Sequence, residues 1–139
     1  MVLYALAIIE QEEKILLSLR QNTPFFSGHY GLLGGKIEEN ESITHALIRE
    51  LYEEIGITVI KNNLNFVHCL SFINENGTAI TAFVFKVAVW QGSIINREPD
   101  KITELQWYAL DALPKNVIPR HRHIIDMVQR GVLYSENGW

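Results

Sequence analysis

Three glutamates stand at spacings that a helix would turn into one acidic cluster. Glu50, Glu53 and Glu54 occupy positions i, i+3 and i+4, so their side chains would leave one helix face within about one turn. Same-sign charges at this spacing repel by roughly 0.2–0.5 kcal/mol per pair, whereas a hard divalent cation would make the cluster favourable. Carboxylate oxygens suit Mg²⁺ or Mn²⁺, and Mg²⁺ commonly binds together with substrate phosphates. The spacing therefore predicts a metal site for phosphate chemistry.

The helix that must carry these acids also has an apolar side. Four aliphatic residues fall on an arc beside the glutamates: Leu47, Ile48, Leu51 and Ile55. This pattern is typical of a helix docked on a sheet. Gly56 suits a left-handed C-cap, and either Asn40 or Ser42 could cap the start of the helix. We therefore expect the acids at the edge of a core.

The rest of the chain predicts a sheet flanked by helices within a single domain, residues 1–139. At this length a chain buries about two thirds of its unfolded surface, enough for one core. Strands are predicted near residues 3–9, 14–20, 58–60, 64–73, 78–90 and 104–109, with a short strand into Gly34 and a closing helix over 119–130. Mixed strands with two substantial helices predict an α/β fold, an α/β/α sandwich.

Nine residues around the glutamates match the Nudix box, G-x5-E-x7-R-E-U-x-E-E-x-G-U, where U is a bulky aliphatic residue. The matching positions are Gly35, Glu41, Arg49, Glu50, Leu51, Glu53, Glu54, Gly56 and Ile57. With average residue frequencies, such a match would arise by chance in about one chain in ten million. The chain therefore resembles the Nudix hydrolases, and the resemblance implies the Nudix fold, in which the central sheet is mixed.

The resemblance also implies how the box residues act. It implies that a divalent metal, Mg²⁺ with Mn²⁺ as a substitute, is held mainly by Glu50 and Glu54, with Glu53 close by and Gly35 as a secondary ligand. Arg49 could offer a bidentate fork to a carboxylate. The resemblance implies Glu41 as its partner, in a structural pair that ties the preceding loop to the helix.

A second acidic segment follows the predicted strands. Residues 96–101 contain a Glu-Pro-x-Lys sequence that small nucleotide-directed Nudix proteins often carry, here beginning at Glu98. In several relatives a glutamate from this loop reaches the metal site. We therefore expect the catalytic carboxylates to be Glu53, Glu54 and Glu98, and either Glu53 or Glu98 to accept a proton from the attacking water.

Substrate recognition is less clearly encoded. Phe25 and Tyr30 could stack on a base, but core packing is the favoured interpretation for each, and Arg20 and Lys36 could bind polar edges or phosphates. The basic run at 120–123 could contact phosphate or ribose, but a solvated helix start is the favoured interpretation. The chain also lacks the acidic pair with which mammalian-type 8-oxopurine relatives read the base.

Composition narrows the partners and the compartment. A net charge of −4 argues against binding nucleic acid polymers. The single cysteine, Cys69, is expected in the core and suits a reducing cytoplasm. The N-terminus lacks a basic signal region, and no apolar run reaches the roughly 18 residues of a membrane span. We expect a monomer or homodimer that binds a small nucleotide.

Three functions are compatible with these features. The leading hypothesis is a MutT-like hydrolase that converts nucleoside triphosphates to monophosphates and pyrophosphate and cleanses the nucleotide pool. The alternative substrates are ADP-ribose, a nucleotide sugar or a dinucleoside polyphosphate. A non-catalytic nucleotide sensor is the alternative of a different class, although such domains usually lose box glutamates, and all are present here.

Overall fold

A computed structural model describes residues 1–139 and has one mixed sheet of eight strands at its centre. The strands are β1 (Val2–Gln11), β2 (Lys14–Arg20), β3 (Tyr30–Gly31), β4 (Leu33–Lys36), β5 (Asn65–Ile73), β6 (Ala79–Val87), β7 (Ile102–Ala109) and β8 (Tyr134–Asn137). The helices are α1 (Ile43–Ile55) and α2 (Pro119–Gln129), and a short 3₁₀ helix covers Lys61–Asn63. Neither α-helix is long and apolar enough to cross a membrane.

The long strand β1 joins the two parts of the sheet. The main strand order is β3-β2-β1-β6-β5-β8, and β4 and β7 add to β1 and β2, respectively. β1 runs parallel to β6, with Leu6 opposite Val84, and antiparallel to β4, with Leu6 opposite Gly34. Because β1 has partners along both edges, residues 5–9 are all buried.

The two helices cover opposite faces of this sheet. Alternate residues of β1 point to opposite sides, so that Ala5, Ala7 and Ile9 belong to one core cluster and Leu6 and Ile8 to the other. Helix α1 completes the first cluster with Leu47, Leu51 and Ile55. Helix α2 completes the second with Ile124 and Ile125. The predicted α/β/α sandwich with a mixed sheet is confirmed.

Three local features differ from the predictions. Residues 58–60 form no strand, because only Thr58 makes a bridge, to Gln91, before the 3₁₀ helix begins. The C-terminal segment instead forms β8, parallel to β5. Cys69 is half-buried, because it faces the opposite side of β5 from its buried neighbours His68 and Leu70.

Candidate active site

Helix α1 presents the acidic residues toward β4. It begins after Ser42, whose hydroxyl accepts the His45 N–H at 3.1 Å, and it ends at Gly56 in the left-handed conformation, with φ 74°. Burial of its apolar side against the sheet fixes the rotation of the helix. The face that adjoins this buried side carries Glu50 and Glu54.

Two glycines of β4 allow the strand to pass directly beneath these acids. The Gly34 N–H donates to Glu54 Oε1 at 2.8 Å. Gly34 has φ 130°, and a Cβ there would lie 2.1 Å from the carbonyl oxygen of Ala5. A Cβ on Gly35 would lie 2.6 Å from the Glu50 carboxylate. Only glycine fits at both positions without displacing the backbone of β1 or the Glu50 side chain.

Arg49 connects the preceding loop to the acids. Its Nε and Nη2 donate to the two carboxylate oxygens of Glu41 at 2.7 and 3.0 Å. Its Nη1 donates to Glu50 at 3.0 Å and to Glu53 at 3.2 Å. The hydrogen bonds from Arg49 lower the pKa of Glu41 to about 2. Arg49 therefore anchors the loop and brings one positive charge to the acidic face.

The three glutamates of the cluster differ in their surroundings. Burial raises the pKa of Glu54 well above its usual value. The hydrogen bond from the Gly34 N–H opposes this rise, and the negative charges of Glu50 and Glu98 add to it. Burial also raises the pKa of Glu50, whereas its hydrogen bond with Arg49 opposes the change. The Glu53 side chain is 49% exposed. Glu50 and Glu54 are thus the pair whose repulsion a cation would relieve.

The donor set fits a hard metal ion that also binds substrate. No three carboxylate, imidazole or thiol side chains converge closely enough to hold one ion among themselves. Two carboxylates, Glu50 and Glu54, lie against the backbone of Gly34 and Gly35. Mg²⁺ commonly takes one or two carboxylates and completes its shell with waters and phosphate oxygens. This pair therefore suits Mg²⁺ better than it suits an ion enclosed by protein ligands alone.

The loop between β6 and β7 places Glu98 near this pair. The Arg97 N–H donates to the backbone carbonyl of Glu54 at 3.0 Å, and the Arg97 guanidinium lies 4.7 Å from the ring centroid of Tyr52. The Asn96 side chain accepts the Glu98 N–H at 3.0 Å and donates to the first carbonyl of β7 at 2.6 Å. Glu98 is half-buried, and its charge contributes to the raised pKa of Glu54.

A cavity of about 150 Å³ borders the glycine pair. It lies between the sheet and α2, and the rings of Phe25, Phe26 and Phe72 form part of its wall. Gly34 and Gly35 also line it. The backbone that contacts the acids is therefore also a wall of the cavity, so one extended ligand could occupy both places.

Several polar side chains line this cavity. Burial lowers the pKa of Arg20, and the negative charge of Glu54 opposes that shift. His121 Nδ1 accepts the Leu32 N–H at 2.9 Å, and burial lowers the pKa of His121 to about 3. His121 is therefore neutral near pH 7, with its proton on Nε2. Arg120 also lines the cavity.

The placement of Arg120 and His121 corrects the interpretation of the basic run. The Arg120 side chain is only 13% exposed, and His121 is half-buried, whereas Arg122 is exposed. The spacing of Ile118, His121 and Ile125 at i, i+3 and i+7 is the signal that places His121 on the buried side of a helix. Solvation of the whole run was therefore the wrong expectation.

The four proposed substrate-binding residues separate into two groups. Arg20 and Phe25 line the cavity, whereas Tyr30 and Lys36 do not. Tyr30 is 8% exposed, its hydroxyl donates to Glu104, and its ring packs edge-to-face on Tyr108 at 5.3 Å. Tyr30 has no free face for a base, so the stacking expectation does not fit this residue. Lys36 is exposed at the end of β4.

Comparison with known proteins connects this geometry to a family. The NUDIX domain profile matches residues 2–128. The chain is 27% identical over 131 residues to the 8-oxo-dGTP diphosphatase of Buchnera aphidicola subsp. Schizaphis graminum, covering 94% of this chain and 95% of that protein. It is 32% identical over 122 residues to the ADP-ribose pyrophosphatase of Methanocaldococcus jannaschii, covering 88% of this chain and 70% of that protein.

A solved structure agrees with both matches. The MutT NUDIX hydrolase from Burkholderia pseudomallei superimposes with a TM-score of 0.82 at 30% identity, covering 90% of this chain and 95% of that one. The complete box runs from β4 through the following loop and α1 to Gly56 and Ile57, which come directly after the helix. The chain therefore belongs to the Nudix family, whose members are hydrolases of nucleotide pyrophosphate bonds.

Proposed function

We propose that this Nudix hydrolase converts nucleoside triphosphates to nucleoside monophosphates and pyrophosphate. The observation that carries the proposal is the shared wall between the cavity and the acids, formed by Gly34 and Gly35. A nucleoside in the cavity would direct its phosphates along this wall toward Glu50 and Glu54. Phe25 offers a partly exposed ring to the base, and Arg20 lines the cavity with a positive charge that interacts with Glu54.

Nudix hydrolases generally need a divalent metal, and the proposed ion is Mg²⁺, with Mn²⁺ able to replace it. Glu50 and Glu54 would hold it, with Glu53 close by and Gly35 as a secondary ligand. When bound, such an ion neutralises phosphate charge and lowers the pKa of a bound water. Arg49 orients Glu50 and keeps its charge compensated. The wall of β4 excludes solvent from the inner oxygen of Glu54, which accepts the Gly34 N–H.

Two carboxylates, Glu53 and Glu98, are the candidates for the general base that accepts a proton from the attacking water. Glu53 is half exposed and accepts a hydrogen bond from Arg49. Glu98 is held by the Asn96 side chain through its backbone N–H, which leaves its carboxylate available. Comparing Glu53→Gln with Glu98→Gln would distinguish them, because loss of the base lowers kcat and removes the acidic limb of the pH profile.

The first test is a substrate panel with Mg²⁺, resolved by mass spectrometry of the products. It contains canonical and oxidised nucleoside triphosphates, ADP-ribose, a nucleotide sugar and dinucleoside polyphosphates. We expect a monophosphate and pyrophosphate from at least one triphosphate. Turnover of ADP-ribose alone would keep the site and overturn the proposed substrate. Silence across the panel, with nucleotide still bound, would favour a sensor.

The same assay tests the acidic pair. Glu54→Gln removes one metal-binding charge while keeping the size of the side chain, so kcat/KM should fall by about 100-fold or more. Glu39→Gln is the matched control, because Glu39 is exposed on the loop before α1. Unchanged turnover in Glu54→Gln would refute the proposed metal site.

A biological role in cleansing the nucleotide pool of the cytoplasm is part of this proposal. It is supported by the match to an 8-oxo-dGTP diphosphatase along almost the whole of both chains. The ADP-ribose pyrophosphatase match makes ADP-ribose the second substrate to assay. The panel contains both oxidised triphosphates and ADP-ribose, so it distinguishes these two substrates directly.

A further inference from the structure

Arg120 has an unsatisfied hydrogen-bond donor inside the cavity wall. Its Nη2 forms an ion pair with Glu75, but its Nε is buried without any hydrogen-bond partner. No other side-chain nitrogen or oxygen in the structure is both buried and unpaired. A buried donor without an acceptor costs about 1–3 kcal/mol, so a ligand that supplies an acceptor here would recover that cost on binding.

Aromatic rings and an ion pair fix the position of this guanidinium. Its central carbon lies 4.6 Å from the ring centroid of Phe72 and 5.8 Å from that of Phe26. Both rings line the same cavity. A planar guanidinium held in this way loses little further entropy when it donates to a ligand. The Arg120 guanidinium is therefore preorganised to donate hydrogen bonds to one polar edge of a ligand.

The neighbouring polar groups of the cavity also offer donors. His121 Nδ1 is occupied by the Leu32 N–H, which leaves Nε2–H. The Asn74 side-chain oxygen accepts two backbone N–H groups, both at 2.9 Å, which leaves its NH₂ group. The carboxylate of Glu75 is already compensated by Arg120. Three side chains of the wall, Arg120, His121 and Asn74, therefore keep a free hydrogen-bond donor.

We propose that Arg120 is a specificity-determining residue of this site and selects bases that present a carbonyl oxygen, the keto bases, over bases that present an amino group. This inference rests on the proposed nucleotide function and adds the class of base. A keto oxygen accepts a hydrogen bond from Arg120, as guanine O6 commonly does from arginine. An amino group at the same place would face a donor and leave it unpaired.

The test uses two pairs of triphosphates that differ in one exocyclic group, ITP against ATP and UTP against CTP. We expect wild type to favour the keto member of at least one pair by about tenfold in kcat/KM. Arg120→Lys keeps the charge but removes Nε and the planar face, so this ratio should fall close to one. Arg122→Lys is the matched control and should keep the ratio, because Arg122 is exposed, does not line the cavity and donates its side-chain hydrogen bond to the Pro114 carbonyl.

A metal-free binding measurement separates this inference from the catalytic proposal. Calorimetry with wild type and IMP, AMP, UMP and CMP needs neither turnover nor a stable Arg120 variant. Tighter binding of the keto monophosphates supports the role of Arg120 even if no triphosphate is hydrolysed. Equal or weaker binding of both keto members overturns the inference while leaving triphosphate hydrolysis intact, as does a keto preference that survives in a folded Arg120→Lys protein.

Discussion

At the scale of single residues, the two glycines of β4 have different functions despite being adjacent. Gly34 has φ 130°, and a Cβ there would lie 2.1 Å from a backbone oxygen of β1, whereas a Cβ on Gly35 would meet only the flexible end of Glu50 at 2.6 Å. Backbone in a packed sheet cannot move aside, but a carboxylate can rotate. The first glycine is therefore required for folding, and the second for placing Glu50.

Alanine substitutions at these two positions should separate stability from activity. Gly35→Ala should remain folded, with a melting temperature within a few degrees of wild type, and lose about tenfold or more in kcat/KM because Glu50 is displaced. Gly34→Ala should instead lose stability by about 3 kcal/mol or more, through backbone strain and overpacking. Thermal melts and steady-state kinetics on both variants check this, and similar melting temperatures for the two would contradict it.

The sequence predicts some residue positions well and others poorly, for a physical reason. Arg49 and Glu41 are eight positions apart, and local chain geometry brings them together. The surroundings of Tyr30 depend on Glu104, which reaches it only because β7 pairs with β2. Spacing along the chain carries no information about that pairing, so core packing of Tyr30 could be expected from its residue type but its partner Glu104 could not.

At the scale of elements, the loop that carries Glu98 is held to the end of α1 on one side and to β7 on the other. The Arg97 N–H contacts the Glu54 carbonyl, and the Asn96 side chain connects Glu98 to the start of β7. We therefore propose that Asn96 is a positioning residue that acts on the site through Glu98.

Removing the Asn96 amide should loosen Glu98 without unfolding the protein. We expect Asn96→Ala to lower kcat about threefold to tenfold with little change in KM. Ser93→Ala in the same exposed loop is the control and should behave as wild type. In a double variant, Asn96→Ala should add nothing to Glu98→Gln, because both changes act on one carboxylate. Additive losses would show that Asn96 acts by another route.

The boundaries of helices and strands could be predicted where the hydrophobic periodicity and the capping residues agreed. The C-terminal end of α1 follows from Gly56, its observed N-cap Ser42 is one of the two predicted, and β2 follows from its apolar run. Residues 58–60 carry the same apolar pattern as a strand but pair only once, with Gln91. β8 is polar and short, and it exists because β5 offers it an open edge. Neither outcome is encoded locally.

At the scale of the whole molecule, four distant segments build the cavity. Arg20, Phe72, Asn74 and Arg120 come from β2, β5, the β5–β6 turn and α2. The sandwich could be predicted from periodicity and from the box, because both are local patterns. The cavity could not, because it exists only after α2 closes on the sheet. The same burial that forms the site raises the pKa of Glu54, which connects function to global stability.

Glu54 should therefore destabilise the metal-free protein at neutral pH. Its folded pKa is raised above the unfolded value near 4.5, so the folded state keeps a proton that the unfolded state has released. The unfolding free energy then falls as pH rises from about 4.5 toward the folded pKa. Burial of neutral His121 has the opposite effect. Its folded pKa is about 3, below the unfolded value near 6.5, so the unfolding free energy rises between about pH 3 and 6.5.

The difference between Glu54→Gln and wild type isolates the first effect, because His121 is common to both. In EDTA the variant should melt about 3 °C or more above wild type at pH 7, and the gap should shrink toward pH 4.5. Mg²⁺ should raise the melting temperature of wild type and of Glu39→Gln but not of Glu54→Gln, since binding to the folded state alone stabilises it. A variant that melts below wild type at every pH would mean that the Gly34 hydrogen bond outweighs the cost of burying the charge.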